Sequence, residues 1–185
     1  MPSRIAHPRG RGHRPAPVLA EMARRLEAAG ATALGMPCNT AHHYARQIAA
    51  AVSIPFLNMV ELSVARAAGG SAQETAASVF LASPAVRKAR ACSTALARAG
   101  LTAIWPEDDD RMLGAIRLIK SAGPVGEAQD ILAGAARELV TNGAALIFVA
   151  CSEFSLLAGS LSVPVPVIDT VDVLVDAIRA HSLQK

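Results

Sequence analysis

The chain has 185 residues, 52% of them hydrophobic and 3% aromatic, and a net charge of +3, enough to bury one large core or two small lobes. Four of its arginines fall within the first fourteen residues; the rest is near neutral and offers no stacking platforms, which argues against nucleic acid as a partner. No apolar run approaches the ~18 residues of a membrane span, and the arginine-bearing amino terminus lacks the apolar region of a secretory signal.

Residues 1–16 are rich in Pro, Gly, Arg and His and aperiodic, as in a loop or frayed end. Pro17 suits a first helical turn, and the pattern predicts a helix over 18–29 stopped by Gly30. A strand at 32–37, a helix at 40–51, a strand at 54–58 and a helix at 60–68 follow, and Gly69-Gly70-Ser71 reads as a linker. A strand at 77–82 leads to Ser83-Pro84, an N-cap followed by proline at the first helical position, and a helix over 84–99 ending at Gly100. A strand at 101–105 closes on Trp105, read as a packing residue. The acidic run 107–110 suits the start of a helix over 108–120. Pro124 and Gly126 separate that helix from one at 127–142. A strand at 144–150, a strand at 165–168 and a helix at 170–181 complete the order. Strands separated by helices imply parallel sheets covered by helices, with ligands at the carboxyl ends of strands.

Two cysteines occupy such ends. Met36-Pro37-Cys38-Asn39-Thr40-Ala41-His42 closes one apolar run, and Val149-Ala150-Cys151-Ser152-Glu153 closes another. Gly30 precedes Cys38 by eight residues, as Gly143 precedes Cys151. Each cysteine is followed by a proline-containing strand, ending at Asn58 or Asp169, and then by a helix with an acid three residues on, Glu61 or Asp172. This is one helix–strand–Cys–helix–strand unit used twice. A thiol facing a helical first turn meets free backbone N–H groups, which favour a thiolate and an anionic ligand. Three cysteines without framework spacing fit free thiols in a reducing cytoplasm.

The Pro-Cys-Asn-Thr-Ala-His run at 37–42 together with Cys151-Ser152-Glu153 resembles the aspartate/glutamate racemase superfamily, in its aspartate racemase branch. That branch usually reads Gly-Cys-Thr-Glu in its second motif, where this chain has Ala150 and Ser152; the glutamate racemase branch has a His where this chain has Glu153. The resemblance implies an α/β fold of two pseudo-symmetric three-layer lobes with parallel sheets and the active site in the cleft between them. It also implies a homodimer, a small amino-acid substrate and no cofactor. The expected lobes are 1–70 plus 169–185, and 71–168. Family members begin with a strand–helix–strand unit of about 30 residues carrying a Gly-Gly-Met-Gly-Pro-type loop, which has no counterpart here. A lobe shortened in this way exposes sheet edges and apolar helix faces, so truncation with weak or no turnover is the expectation.

Racemising an α-amino acid without pyridoxal phosphate requires removing the Cα proton from one face and returning one to the other. One base cannot readily serve both faces, so two groups flank Cα, and a thiol's pKa is easily moved toward neutrality. Cys38 and Cys151 are the expected pair, each a base in one direction and an acid in the other. Asn39 and Thr40 after the first thiol, and Ser152 and Glu153 after the second, are candidates to hold the α-carboxylate and ammonium. Plain helix N-capping is the competing reading for Asn39 and Thr40, and an arginine partner that for Glu153. Lys120 resembles a family lysine that binds the side-chain carboxylate, with a solvated helix end as its alternative. Pro2-Ser3-Arg4-Ile5 aligns with the family's Pro-Asp-Arg-Thr-like segment, making Arg4 the candidate arginine for a substrate carboxylate. Ser83 falls in a loop facing the site in the family pattern, but N-capping is the expected role.

Cys38 and His42 have the spacing of two metal ligands, but no third or fourth ligand cluster accompanies them; His42 is expected to orient the loop, His43 to lie at the surface, and Cys92 to pack mid-helix in the core. Three function classes stand. One is a cofactor-independent racemase of aspartate or glutamate. Another is a maleate isomerase-like or arylmalonate decarboxylase-like enzyme of the same fold, although the decarboxylase group works with one cysteine. The last is an inactive truncated member.

Overall fold

The computed structural model describes residues 14–69, 77–90 and 92–184. Helix α1, Pro15–Ala28, has Pro15 at its first position. It starts three residues earlier than expected because Pro17 falls in the first turn, where backbone N–H groups have no intrahelical partner to lose. Gly30, at φ +91°, ends it: Gly30 N–H donates to the Glu27 carbonyl and Ala31 N–H to that of Leu26. Only glycine takes this left-handed turn without a Cβ penalty. Strand β1, Leu34–Gly35, pairs in parallel with β2, Phe56–Leu57. Both are shorter than the apolar runs that announced them, since Pro37 and Pro55 carry no N–H for a ladder.

Between them the expected helix over 40–51 is replaced by a 3-10 turn, Asn39–Tyr44, running into the short α2, Ala45–Ala49. The cause is local. The Cys38 carbonyl accepts from Ala41 N–H at 3.0 Å and sits 2.9 Å from the His42 ring Nδ1, so it is not free to open an α-helical ladder. Helix α3, Met59–Ala68, is capped by Asn58, whose Oδ1 accepts from Val60 and Glu61 N–H.

A four-stranded parallel sheet in the order β4-β3-β5-β6 follows, from β3 (Ala77–Ala82), β4 (Thr102–Ile104), β5 (Leu146–Ala150) and β6 (Val167–Asp169). The expected helix over 84–99 is two: α4, Pro84–Ala89, and α5, Ser93–Arg98, parted by Arg90 at φ +50°. Cys92 therefore caps α5 instead of lying mid-helix, but it is buried as expected. The break lets Val86, Cys92 and Leu96 join one apolar cluster with Phe80, Leu146 and Phe148, on one face of the sheet. There Phe80 stacks on Phe148 and on Trp105, with ring centroids 4.7 and 5.0 Å apart.

On the other face, Leu81, Ile147 and Val149 pack under α6 (Asp109–Ala122) and α7 (Gly126–Thr141). All five residues of β5 are buried, as a central parallel strand covered on both sides requires. Helix α7 ends as α1 does: Gly143 has φ +91°, Gly143 N–H donates to the Val140 carbonyl and Ala144 N–H to that of Leu139. The short α8, Ser152–Ser155, follows β5. The last helix, α9 (Thr170–Leu183), leaves β6 and packs chiefly on α3, touching β5 and β6 of the sheet that supplies it and β2 of the first pair. It lies close over β1: a Cβ on Gly35 would stand 3.3 Å from Ile178 Cδ1, and Arg66 pairs with Asp176 at 2.7 Å. No described helix is long and apolar enough to cross a membrane.

Candidate active site

Both cysteines stand at the turn from a parallel strand into a helix, in nearly the same conformation: Cys38 at φ −150°, ψ 101°, and Cys151 at φ −149°, ψ 129°. They line one cavity of about 100 Å³, together with Asn39, Thr40, Ser83, Lys120, Ser152 and Glu153. Residues from β1's loop, α4's start, α6 and β5's end thus converge. Arg4 lies outside the described residues.

The two thiols sit in different surroundings. Cys38 is half-buried, whereas Cys151 is 8% exposed. Cys151 Sγ donates to Glu153 Oε2 at 3.0 Å. Burial, then that hydrogen bond and the charge of Glu153, push the Cys151 thiol up to about 12, against the opposing pull of the Glu153 and Phe154 N–H groups. Burial also acts on Glu153, raising it. The hydrogen bonds from Cys151 and Lys120 outweigh this and leave its carboxyl below the usual range. Both shifts describe one state, with the proton on sulfur and the charge on Glu153. Lys120 Nζ stands 3.0 Å from Glu153 Oε1, and Ser152 Oγ donates to Oε2 at 3.2 Å. Among the described residues Glu153 is therefore partnered by a lysine of α6 and by no arginine.

The capping readings yield to geometry on the first loop. Neither Asn39 nor Thr40 occupies the cap position, which is Cys38's, and no side chain there makes a cap bond. Asn39, 3% exposed, donates from Nδ2 to Thr170 Oγ1 at 3.0 Å, while its Oδ1 is buried without a partner among the described residues. Thr40 Oγ1 lies 3.4 Å from Ser83 Oγ. Ser83 holds the cap position of α4 by its backbone, but its hydroxyl makes no cap bond and turns toward Thr40 and the cavity.

His42 orients the loop. Met59 N–H donates to its Nε2 at 3.1 Å, which assigns the ring proton to Nδ1 and directs it to the Cys38 carbonyl. Burial lowers the pKa of this imidazole and keeps it neutral. With both nitrogens engaged by backbone, it has no lone pair to share with Cys38 in a metal site. His43 is exposed, with Nδ1 3.0 Å from the Ala89 carbonyl.

Two further residues near the site, Thr170 and Asp169, carry no site role in the sequence pattern. Thr170, 1% exposed, donates to the Val149 carbonyl at 3.0 Å. Asp169 caps α9 through Val171 N–H and accepts from Ser155 Oγ, four residues after Cys151. His42, four residues after Cys38, meets the start of α3 at the matching place, though there the ring accepts from the Met59 backbone N–H. That repeat spacing is the one sequence signal that points to Asp169; Thr170 reads as an ordinary first helical residue.

Fold and site together define an α/β protein whose repeated strand–cysteine–helix turns bring two free thiols to one cleft. The Asp/Glu/hydantoin racemase family model matches residues 1–178, and the chain belongs to that family. Among solved structures it is similar to the aspartate racemase of Picrophilus torridus, at 20% identity and a TM-score of 0.80, over 96% of this chain and 74% of that one. An aspartate racemase homologue from Pyrococcus horikoshii is 20% identical, with a TM-score of 0.71 over 90% of this chain and 74% of that one. A glutamate racemase from Bacillus anthracis is 14% identical, with a TM-score of 0.67 over 91% and 65%. At such identities these likenesses show the shared fold.

Proposed function

We propose that the chain is a cofactor-independent racemase of acidic amino acids, aspartate or glutamate, moving a proton at Cα between Cys38 and Cys151. The observation that carries this reading is the pair of thiols lining one cavity, the second of them held protonated by burial and by its hydrogen bond to Glu153. In one direction Cys38 as thiolate removes the Cα proton, and the electron pair passes into the α-carboxylate as an enediolate. Cys151 then gives its proton to the opposite face of Cα and is left as the thiolate. The reverse reaction begins from that state, with Cys38 now the acid. Burial and the Glu153 carboxylate, two residues from Cys151, oppose the thiolate there, so Cys151 is readily reprotonated.

Substrate placement follows from the polar groups around the thiols. Asn39 Oδ1, an acceptor with no partner among the described residues, suits the ammonium group, and the hydroxyls of Thr40, Ser83 and Ser152 suit the α-carboxylate. Lys120 suits the side-chain carboxylate, which it reaches by sharing or leaving Glu153; Arg4 remains a candidate for a second carboxylate contact. The reading assigns the two lobes to 1–70 with 169–185 and to 71–168, with the cleft between them. It includes a cytoplasmic homodimer, checked by sedimentation and fractionation. Retention of two thiols at one cavity favours racemisation over a one-cysteine decarboxylation.

The test is proton NMR in deuterated water without pyridoxal phosphate. Loss of the Cα signal from L-aspartate or L-glutamate, with appearance of the D enantiomer by chiral chromatography, is the expected result. No exchange from either enantiomer of either amino acid would overturn the assignment.

A further inference from the structure

We propose that Thr170 is a positioning residue that holds the two cysteine loops in register across the cavity, a role resting on the reading of that cavity as a two-thiol site. Its Oγ1 lies 3.0 Å from the Val149 carbonyl oxygen and 3.0 Å from Asn39 Nδ2. A hydroxyl has one proton, and a carbonyl only accepts. Thr170 therefore donates to Val149 and accepts from Asn39. Asn39 is the neighbour of Cys38, and Val149 stands two residues before Cys151. One oxygen thus ties the backbone beneath one thiol to the side chain beside the other.

The same logic sets the orientation of Asn39. Because Thr170 presents only a lone pair, the amide must turn its NH₂ toward it, which leaves Oδ1 as an acceptor with no partner among the described residues. Thr170 and Asn39 are 1% and 3% exposed, so both bonds are shielded from bulk solvent. The tie exists in one half only. In the repeat, Asp169 answers to Asn58 and Thr170 to Met59, a fully buried apolar side chain whose contribution is its backbone N–H to His42. The first loop is thus braced by a histidine within its own half, and the two halves are joined through Thr170.

The experiment reads thiol geometry directly, in the Cys92→Ala background so that only Cys38 and Cys151 react. Dibromobimane fluoresces only after both of its arms have alkylated, so the ratio of bridged to singly alkylated protein reports the placement of the two thiols. Thr170→Val should lower that ratio about five-fold or more, the effect of one lost buried hydrogen bond, and Thr170→Ser should restore it to within about two-fold. A ratio unchanged in Thr170→Val, or lowered equally in Thr170→Ser, overturns the proposal. Should Thr170→Val fail to fold, Asn39→Ala cuts the same tie from the other side, and an unchanged ratio there overturns it equally. Bridging needs no turnover, so a protein that bridges normally but never racemises sinks the functional reading alone.

Discussion

Cys151 Sγ and Glu153 Oε2 stand 3.0 Å apart, with the thiol donating to the carboxylate. The residue that follows the second cysteine by two is thus a device for keeping a proton on sulfur. Lys120, 3.0 Å from the other carboxylate oxygen, helps keep Glu153 ionised in that role. The two half-sites share a backbone conformation but differ in charge, since no acid follows Cys38 by two residues, where Thr40 stands.

Glu153→Gln removes the charge that opposes a Cys151 thiolate, while burial, the larger cause of the rise to about 12, remains. Alkylation of Cys151 by iodoacetamide at pH 8–9 should quicken by about ten-fold, one unit of pKa, without reaching the rate of a free thiol. Mass spectrometry of the Cys151 peptide over time measures it. An unchanged or slower rate would show that the hydrogen bond does not govern this thiol.

Cys38→Ala and Cys151→Ala should each abolish racemisation in both directions, because every turnover needs an acid and a base. Exchange should survive in part. The thiol that remains can remove and return a proton on its own face, so each variant exchanges the Cα hydrogen of one enantiomer, and the two favour opposite enantiomers. Cys92→Ala should behave as the parent, since Cys92 is 2% exposed and remote from the cavity. Racemisation at the parental rate by either active-site variant would dissolve the pairing.

Lys120→Ala tests the substrate's charge. Losing a charge-assisted contact of roughly 1.5–3 kcal/mol should reduce kcat/KM for aspartate ten-fold or more. Stability should change by less than about 1 kcal/mol, because the lysine side chain is 63% exposed and its ion pair is screened. Steady-state kinetics and a urea titration give the two numbers. A large stability loss with unchanged kinetics would make Lys120 a structural partner of Glu153 only.

His42 and Asp169 should tilt stability against pH in opposite directions. Burial holds the folded pKa of His42 below 6.5, so its contribution is present above 6.5 and is lost as pH falls from there through the folded value. Burial raises the folded pKa of Asp169 above 3.8, so its contribution is full below 3.8 and is lost as pH rises through the folded value. Asp169→Asn keeps the acceptor for Val171 N–H, as Asn58 does for α3, and should be as stable as the parent at pH 7 to within about 1 kcal/mol. His42→Asn should be less stable at pH 7 but flatter between pH 6.5 and 5. Denaturant midpoints across pH 4–8 check both; a parental slope in either variant would assign the titration elsewhere.

Local chemistry was legible in the sequence. The matched spacing of Gly30 to Cys38 and Gly143 to Cys151 foretold two like turns, and both glycines share φ +91° because a helix stop of this kind depends on a few neighbouring residues. The apolar run at 144–150 foretold a buried strand, with Leu146–Ala150 at its centre. Where an element's extent depends on partners, the sequence overshot. The runs at 32–37 and 54–58 became two-residue strands, and the helix over 84–99 broke at Arg90, with no glycine or proline at the break to announce it. The tertiary structure alone decided that Lys120 meets Glu153, that His42 spans Cys38 and Met59, and that Thr170 joins Asn39 to Val149. Apart from the local contact of His42 with the Cys38 carbonyl, each of these is a hydrogen bond or ion pair between residues distant in the chain or on separate elements. Such bonds depend on where packed helices and strands finally place single atoms, and no periodicity or spacing encodes that.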